Sequence, residues 1–181
     1  MITGPSGAGK GTIIRALLPR VPEVELAVSA TTRLKREGEI EGRDYYYLSD
    51  ADFARRVANG EFLEHITYVS GNRYGTLRDE VDRISGEGRI PVLELETEGA
   101  LKVAEELPRV VTVFVTAPRV ELERRLRERA TESAGEIGER LDLAESQLRQ
   151  AQLFDYVVEN DEVERAVGEI AAIVRTLRAD R

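Results

Sequence analysis

The sequence predicts an α/β fold built on a parallel core sheet, and three observations predict it. A glycine-rich stretch, GPSGAGKGT at residues 4–12, opens an apolar helical run. From about residue 79 onward, short apolar strands alternate with helical stretches. Between these lies a polar, Gly-punctuated segment of short β candidates, which reads as a lobe inserted into the α/β frame.

Taken in order, Met1, Ile2 and Thr3 provide only a very short first strand before the loop. Ile13, Ile14, Ala16, Leu17 and Leu18 then give a helix its apolar residues, and Pro19 closes it. Residues 24–29 (VELAVS) alternate as a strand, and 30–44, polar with Gly38 and Gly42, read as a loop. Residues 45–48 are a short β candidate. Ser49 or Asp50 caps a helix to about residue 58, which Asn59-Gly60 stops. Strand candidates at 62–69 and 74–76 flank a Gly71-Asn72 turn. Helices at 79–85 and 98–106 alternate with strands at 90–95 (IPVLEL) and 110–115 (VVTVFV). Thr116-Ala117-Pro118 opens a helix with Pro in its first turn, and that helix ends in a dense Arg/Glu run. Residues 130–138 (ATESAGEIG) read as a mobile connection, followed by a helix at 139–152 and a strand at 154–158. Asn160-Asp161 then caps a last helix whose apolar face is Val163, Ala166, Val167, Ile170, Val174 and Leu177.

The 181 residues, 41% hydrophobic and 33% charged, suit one ordinary packed domain with an inserted lobe and exclude a largely disordered chain. With no Cys there is no disulfide framework, Cys–zinc site or thiol nucleophile, and the single His65 cannot build a multi-His metal site. His65 reads as a packing residue. No apolar run approaches the roughly 20 residues of a membrane span, and no signal peptide precedes the loop, so a cytoplasmic protein with no membrane partner is expected. A net charge of -8 argues against a nucleic-acid polymer as partner. The positive charge is nonetheless unusual. Only Lys10, Lys35 and Lys102 are lysines, so 23 of the 26 positive residues are arginines; either this is a compositional bias or some of their planar forks bind phosphate.

Gly4, Gly9 and Lys10 fit the pattern G-x-x-x-x-G-K. Backbone N–H groups of Pro5-flanking Ser6, Gly7 and Ala8 must turn inward around a phosphate, which glycines permit and a Cβ would obstruct. The helix opening near Gly11 adds its N-terminal dipole, and Lys10 is placed to reach the β- and γ-phosphates. The expected ligand is a nucleoside triphosphate. Gly11 stands where many such loops carry the Ser or Thr that ligates Mg²⁺, and Thr12 follows it. GKGT resembles the adenylate-kinase version of the loop, and that resemblance implies Mg²⁺ as a cofactor held mainly by phosphates and water, with Thr12 as the candidate protein ligand.

VSATTR (28–33), GRDYYYL (42–48), EFLEH (61–65), GNRYGT (71–76), LELETEGA (93–100) and VVEND (157–161) resemble guanylate kinases, in that family's order and over nearly the whole chain. The resemblance implies a P-loop three-layer fold in three parts. These are a core of about 1–29, 80–124 and 149–181, a GMP-binding lobe at about 30–79 and a helical lid at about 125–148. It implies the reaction ATP + GMP ⇌ ADP + GDP with Mg²⁺, with ATP and GMP as the small-molecule partners. Arg33, Arg36, Tyr45 and Tyr74 align with the family's grip on the acceptor phosphate. Two arginines three apart in a polar loop can also make charge-assisted forks on chemical grounds alone. Guanine offers N1–H and its 2-amino group as adjacent donors and O6 as an acceptor, which a carboxylate and hydroxyls match. Glu64 aligns with the guanine-reading acid, and Ser29 and Thr76 with the hydroxyls. Glu94 and Glu96 stand where the family usually has Asp, Glu96 at a position that faces the base, so the resemblance implies both in the GMP-binding set, and Leu34-Lys35 replaces the family's small residue and Pro. Arg125 and Arg129, one helical turn apart, and Arg140 on the next helix resemble the lid clamp on ATP and the transferred group. With Lys10 and Arg33, Arg125 and Arg140 form the expected catalytic set. Asn160 resembles the residue near the adenine. Arg124 and Arg127 read as a solvated face paired with Glu121, Glu123 and Glu128.

Two other readings compete. A ribose 1,5-bisphosphate phosphokinase-like enzyme shares the loop and the lid but has no use for a guanine reader. A non-catalytic guanylate-kinase-like scaffold domain keeps the fold and loses the loop. The sequence decides neither for a monomer nor for a homo-oligomer.

Overall fold

The computed structural model describes residues 1–68, 70–107, 109–128 and 134–179, without the side chains of 126, 128, 134–141, 178 and 179. In chain order the first elements are β1 (Ile2–Thr3), α1 (Lys10–Leu17), β2 (Val24–Leu26), β3 (Ala30–Thr31), β4 (Tyr46–Tyr47), α2 (Asp50–Ala58), β5 (Phe62–Thr67) and β6 (Arg73–Leu77). There follow α3 (Arg78–Gly86), β7 (Ile90–Val92), α4 (Thr97–Glu106), β8 (Val113–Thr116), α5 (Arg119–Glu128), α6 (Ala134–Arg149), β9 (Tyr156–Glu159) and α7 (Val163–Ala179). Contacts divide the chain into two units, Met1–Pro22 with Glu94–Arg181, and Glu23–Leu93.

In the first unit β1, β8 and β9 form a parallel sheet in that order, with Ile2 opposite Val113 and Val113 opposite Tyr156. The fold class is thus α/β with a parallel sheet, as expected. Ile13, Ile14 and Leu17 of α1 and Ala166, Val167 and Ile170 of α7 are buried, as their helical spacing requires, and the two helices pack together. Each such burial contributes about 1.5–3 kcal/mol for the larger side chains. Phe114 of β8 packs against Phe154 with ring centroids 5.2 Å apart. The apolar run at 110–115 enters the sheet only at Val113. Just before it, Thr112 is tied to Asp155 by its side chain, its N and Oγ1 donating to Oδ2 at 2.8 and 2.7 Å.

Three helix starts differ from expectation. Pro118 lies just outside α5, where its carbonyl accepts the Leu122 N–H at 3.0 Å and its missing donor is not needed. Helix α6 begins at Ala134 rather than near 139 and ends at Arg149, before a 3₁₀ turn at Ala151–Leu153. Gly135 and Gly138 each cost a helix about 1 kcal/mol relative to Ala, and packing of α6 on α5 offsets this. Residues 130–133 of the expected connection lie outside the described residues. Helix α7 is capped two positions later than Asn160, since the Ala166 N–H bonds the Glu162 carbonyl at 3.0 Å.

In the second unit the strand order is β4-β3-β6-β5, with β2 and β7 as a separate parallel pair. The β5–β6 hairpin is antiparallel, pairs Glu64 with Thr76, and turns at Gly71, whose φ is 82°. Ala30 lies opposite Gly75 of β6 and Tyr46 of β4. The expected strand at 24–29 therefore shortens to β2, and β3 takes the first two residues of the expected loop. Ser49 caps α2 by accepting the Asp52 N–H at 3.1 Å. Ala30, Phe53 and Phe62 form the core here, with Leu48, Val57 and Leu77 packed against them. Phe53 and Phe62 stack at 4.4 Å, and His65 meets the Phe62 ring edge-on at 6.1 Å. No helix among the described residues is long and apolar enough to cross a membrane.

Candidate active site

Chain direction forces glycine at the start of the loop. Gly4 has φ 136°, and a Cβ there would lie 2.0 Å from the Val115 carbonyl oxygen, so β1 leaves the sheet pressed against β8. Gly9 has φ 88° and takes the N-cap position of α1 without a side-chain cap, which leaves the helix N-terminus open to an anion. A Cβ on Gly9 would meet Asn160 Nδ2 at 2.4 Å. Asn160 is 1% exposed and donates from Nδ2 to the Ala8 carbonyl at 2.7 Å, while its Oδ1 has no partner among the described residues. Residue 160 thus props the loop from below instead of capping α7. Lys10 Nζ donates to the Gly4 and Pro5 carbonyls at 2.6 and 3.3 Å, which holds the ammonium across the loop. The Ala8 N–H closes a turn on the Pro5 carbonyl at 3.2 Å, with Ser6 and Gly7 between them.

Arg125 of α5 reaches the same loop, with one terminal nitrogen 3.1 Å from the Gly7 carbonyl. Its Nε donates to Glu121 at 2.6 Å. Arg124 and then Arg125 hold the Glu121 carboxyl down at about 2. Arg124 and Arg127 pair with Glu121 and Glu123 at 2.7 and 3.6 Å on an exposed face, as expected. Arg129 and the side chain of Arg140 lie outside the described residues.

Glu94, which follows β7, also comes to the loop. A Cβ on Gly11 would lie 3.9 Å from its Oε2. Burial pushes the Glu94 carboxyl up, Lys10 opposes that shift, Glu96 adds to it and Arg15 opposes it. Glu96 takes the N-cap position of α4 without a side-chain cap bond. Thr12 is exposed, and its Oγ1 accepts from Arg15 at 3.4 Å. Among the described residues no group of three or more His, Cys, Asp or Glu could cage a metal. A few hard oxygens beside a phosphate loop suit a small cation that keeps water and phosphate as its main ligands, which is the habit of Mg²⁺.

The second unit carries a cradle of Arg, Tyr and Glu side chains. Arg33 forks onto Glu39, with nitrogen–oxygen distances of 3.1 and 2.7 Å, and donates to the Leu34 carbonyl at 2.8 Å. Its guanidinium lies 5.3 Å over the Tyr45 ring, and Tyr45 meets Tyr74 edge-on at 5.8 Å. Arg33, Tyr45 and Tyr74 are therefore brought together. Arg36 is exposed, and its guanidinium has no ion-pair partner among the described residues, while its backbone N–H donates to Glu39 at 2.7 Å. The Tyr47 hydroxyl donates to the same carboxylate at 2.7 Å. With this set of donors, Arg33 first, then the Arg36 amide and Tyr47, the Glu39 carboxyl is pulled down to about 2. Glu39 and Tyr47 are absent from the sequence-based site. The signal available was the Gly38-Glu39 pair three residues after Arg36, which nothing distinguishes from the other acids of that loop.

Strand pairing assembles a second group. Glu64 Oε1 accepts both the N–H and the hydroxyl of its cross-strand partner Thr76, each at 3.0 Å. Thr76 is 1% exposed, so these bonds fix the carboxylate's direction. Ser29 immediately precedes β3, the neighbour of β6, and its hydroxyl makes no hydrogen bond among the described residues. Glu64 and Thr76 thus stand on the paired strands β5 and β6, and Ser29 stands just before β3, which pairs with β6.

The chain is similar to known proteins over nearly its whole length. A family model described as Guanylate kinase matches residues 1–177. A guanylate kinase of Symbiobacterium thermophilum is 44% identical over 99% of this chain and 85% of its own length. One from Rubrobacter xylanophilus is 45% identical over 99% of this chain and 94% of its own length. A crystal structure of guanylate kinase from Anaplasma phagocytophilum, 30% identical, matches with a TM-score of 0.74 over 97% of this chain and 82% of that one.

Proposed function

The chain belongs to the guanylate kinase family, and on that premise we propose that it transfers the γ-phosphoryl group of ATP to GMP, giving ADP and GDP. The observation that carries the choice of acceptor is the Glu64–Thr76 pair, with Ser29 immediately before the adjoining strand β3. A carboxylate accepts from guanine N1–H and the 2-amino group together, and a hydroxyl donates to O6. Adenine would turn an acceptor toward Glu64, and a site built to bond a donor rejects a ligand lacking it.

Each group then has a task. The loop Gly4–Thr12, with Lys10 and the open start of α1, binds the ATP phosphates, and Asn160 keeps the loop in shape. Arg33, Arg36, Tyr45 and Tyr74 bind the GMP phosphate. Ser29, Glu64 and Thr76 read the base, with Glu96 as a further acid of the GMP set. Phosphoryl transfer depends on positioning and charge stabilisation. Lys10 and Arg125, each bonded to a carbonyl of the loop, neutralise charge on the moving group, and Arg129 and Arg140 are assigned to the same clamp. Mg²⁺, when bound with ATP, offsets charge on the phosphate oxygens. Thr12 and Glu94 are the residues that would hold it, together with phosphate and water. The place of Glu94 beside Lys10 and Gly11 supports this role over contact with the base. The reading includes a cytoplasmic setting.

A coupled assay of ADP release with ATP and GMP, AMP, CMP or ribose 1,5-bisphosphate in parallel tests the proposal. Turnover should depend on GMP, and its absence refutes the reading. Turnover with ribose bisphosphate instead would favour the sugar kinase, and none with any acceptor the scaffold.

A further inference from the structure

Glu80 has no role in the chemistry above, yet its carboxylate accepts four hydrogen bonds while nearly fully buried. It lies in the first turn of α3, where an acid ordinarily faces water, but it is 3% exposed. Its Oε1 accepts the Val28 N–H at 3.1 Å and an Arg83 terminal nitrogen at 3.0 Å. Its Oε2 accepts the Tyr46 hydroxyl and Arg83 Nε, both at 3.1 Å. Tyr46 in turn donates its backbone N–H to the Ser29 carbonyl at 2.9 Å. Ser29 therefore sits between two anchors, the Val28 amide before it and the Tyr46 amide on its carbonyl, and both lead back to one carboxylate.

We propose that Glu80 is a positioning residue for base selection: by fixing Val28 and Tyr46 it sets where Ser29 presents its hydroxyl to the 6-oxo group of the acceptor purine. A buried carboxylate is a costly way to fill space, and an apolar residue of similar size would serve packing at least as well. What the charge supplies is direction. Four donors converging on two oxygens leave the carboxylate one orientation, and a hydroxyl must be placed within a few tenths of an ångström to make a good hydrogen bond. Glu64 needs no such help, because Thr76 fixes it across the strands. Ser29 stands just before β3, and these are its hydrogen-bonded anchors among the described residues.

The inference rests on the guanine reading of Ser29, and the test separates the two. kcat/KM is measured with saturating ATP for GMP and for 2-aminopurine riboside 5′-monophosphate, which keeps the 2-amino group and lacks the 6-oxo. The proteins are the parent, Ser29→Ala, Glu80→Ala, Glu80→Gln, Tyr46→Phe and the Ser29→Ala/Glu80→Ala double variant. Ser29→Ala and Glu80→Ala should each shrink the preference for GMP by about tenfold, the value of one ordinary hydrogen bond. The double variant should lose no more than Ser29→Ala alone, because Glu80 acts through Ser29. Glu80→Gln and Tyr46→Phe should shift the preference the same way by less, and they carry the test if Glu80→Ala does not fold. A general loss of structure would lower both substrates together and leave their ratio intact. If Ser29→Ala shrinks the ratio while the Glu80 and Tyr46 variants leave it unchanged, or if the two losses add in the double variant, the positioning role is overturned and the guanine reading stands. If Ser29→Ala leaves the ratio unchanged, the guanine reading fails and takes this inference with it.

Discussion

Replacing Glu64 with Gln tests the base reader most sharply, because the structure separates what the change removes from what it keeps. Oε1 holds the Thr76 amide and hydroxyl at 3.0 Å each. A Gln that keeps its oxygen there satisfies both nearly buried donors, so thermal stability should fall by less than about 1 kcal/mol. The amide nitrogen then stands where a carboxylate oxygen faced guanine. One charge-assisted bond, worth about 1.5–3 kcal/mol, is lost, and opposing two donors costs about 1–3 kcal/mol more. At 1.4 kcal/mol per factor of ten, a middle value of about 4 kcal/mol is about a thousandfold loss in kcat/KM for GMP. Adenine N1 is an acceptor and meets the new donor favourably, so activity with AMP should rise. The assay is coupled ADP release with each nucleotide, beside a melting curve. A GMP-to-AMP ratio unchanged within error, in a variant as stable as the parent, would refute the assignment of Glu64.

Three further outcomes are expected. Lys10→Ala removes the ammonium that spans the loop, and kcat should fall by about 10²–10³-fold with little change in GMP binding; single-turnover phosphoryl transfer and GMP titration check this. Gly4→Ala should cost more than about 3 kcal/mol of stability or prevent folding, because φ and the Val115 carbonyl both exclude a Cβ, as thermal melting would reveal. Glu39→Gln should change the pH dependence of stability. The folded-state pKa of Glu39 is depressed from 4.5 to about 2, so its contribution is present above pH 4.5 and is lost as pH falls toward 2. The gap in melting temperature between parent and variant should therefore close across that window, and a constant gap would show that the Glu39 charge does not stabilise the cradle.

The phosphate loop was legible because its chemistry is local. Glycine at fixed spacing, a Lys and an apolar helical run occupy consecutive residues, and the positive φ values at Gly4, Gly7 and Gly9 are what that spacing requires. Helix α2 was equally plain from Ser49 and Asn59-Gly60. Strand β3 was not, since two residues are too few to display an alternation. Asn160 illustrates a competition between local and distant partners. Asn before a helix ordinarily caps it, but here the Ala8 carbonyl takes its amide. Glu80 was hidden for the same reason: an acid in a first helical turn matches the helix dipole, and only the tertiary fold reveals that Val28, Tyr46 and Arg83 surround it. Glu39 was one acid among several in a loop without period.

The prop beneath the loop has a consequence for how the protein is made. The bond from Asn160 to Ala8 spans 152 residues, and Gly4 rests on Val115. A ribosome adding about 5–20 residues per second needs about 8–30 s to travel from one to the other. Through that interval the loop lacks its Asn160 prop and α1 lacks α7 to pack against, so the loop takes up the geometry described above only late in synthesis.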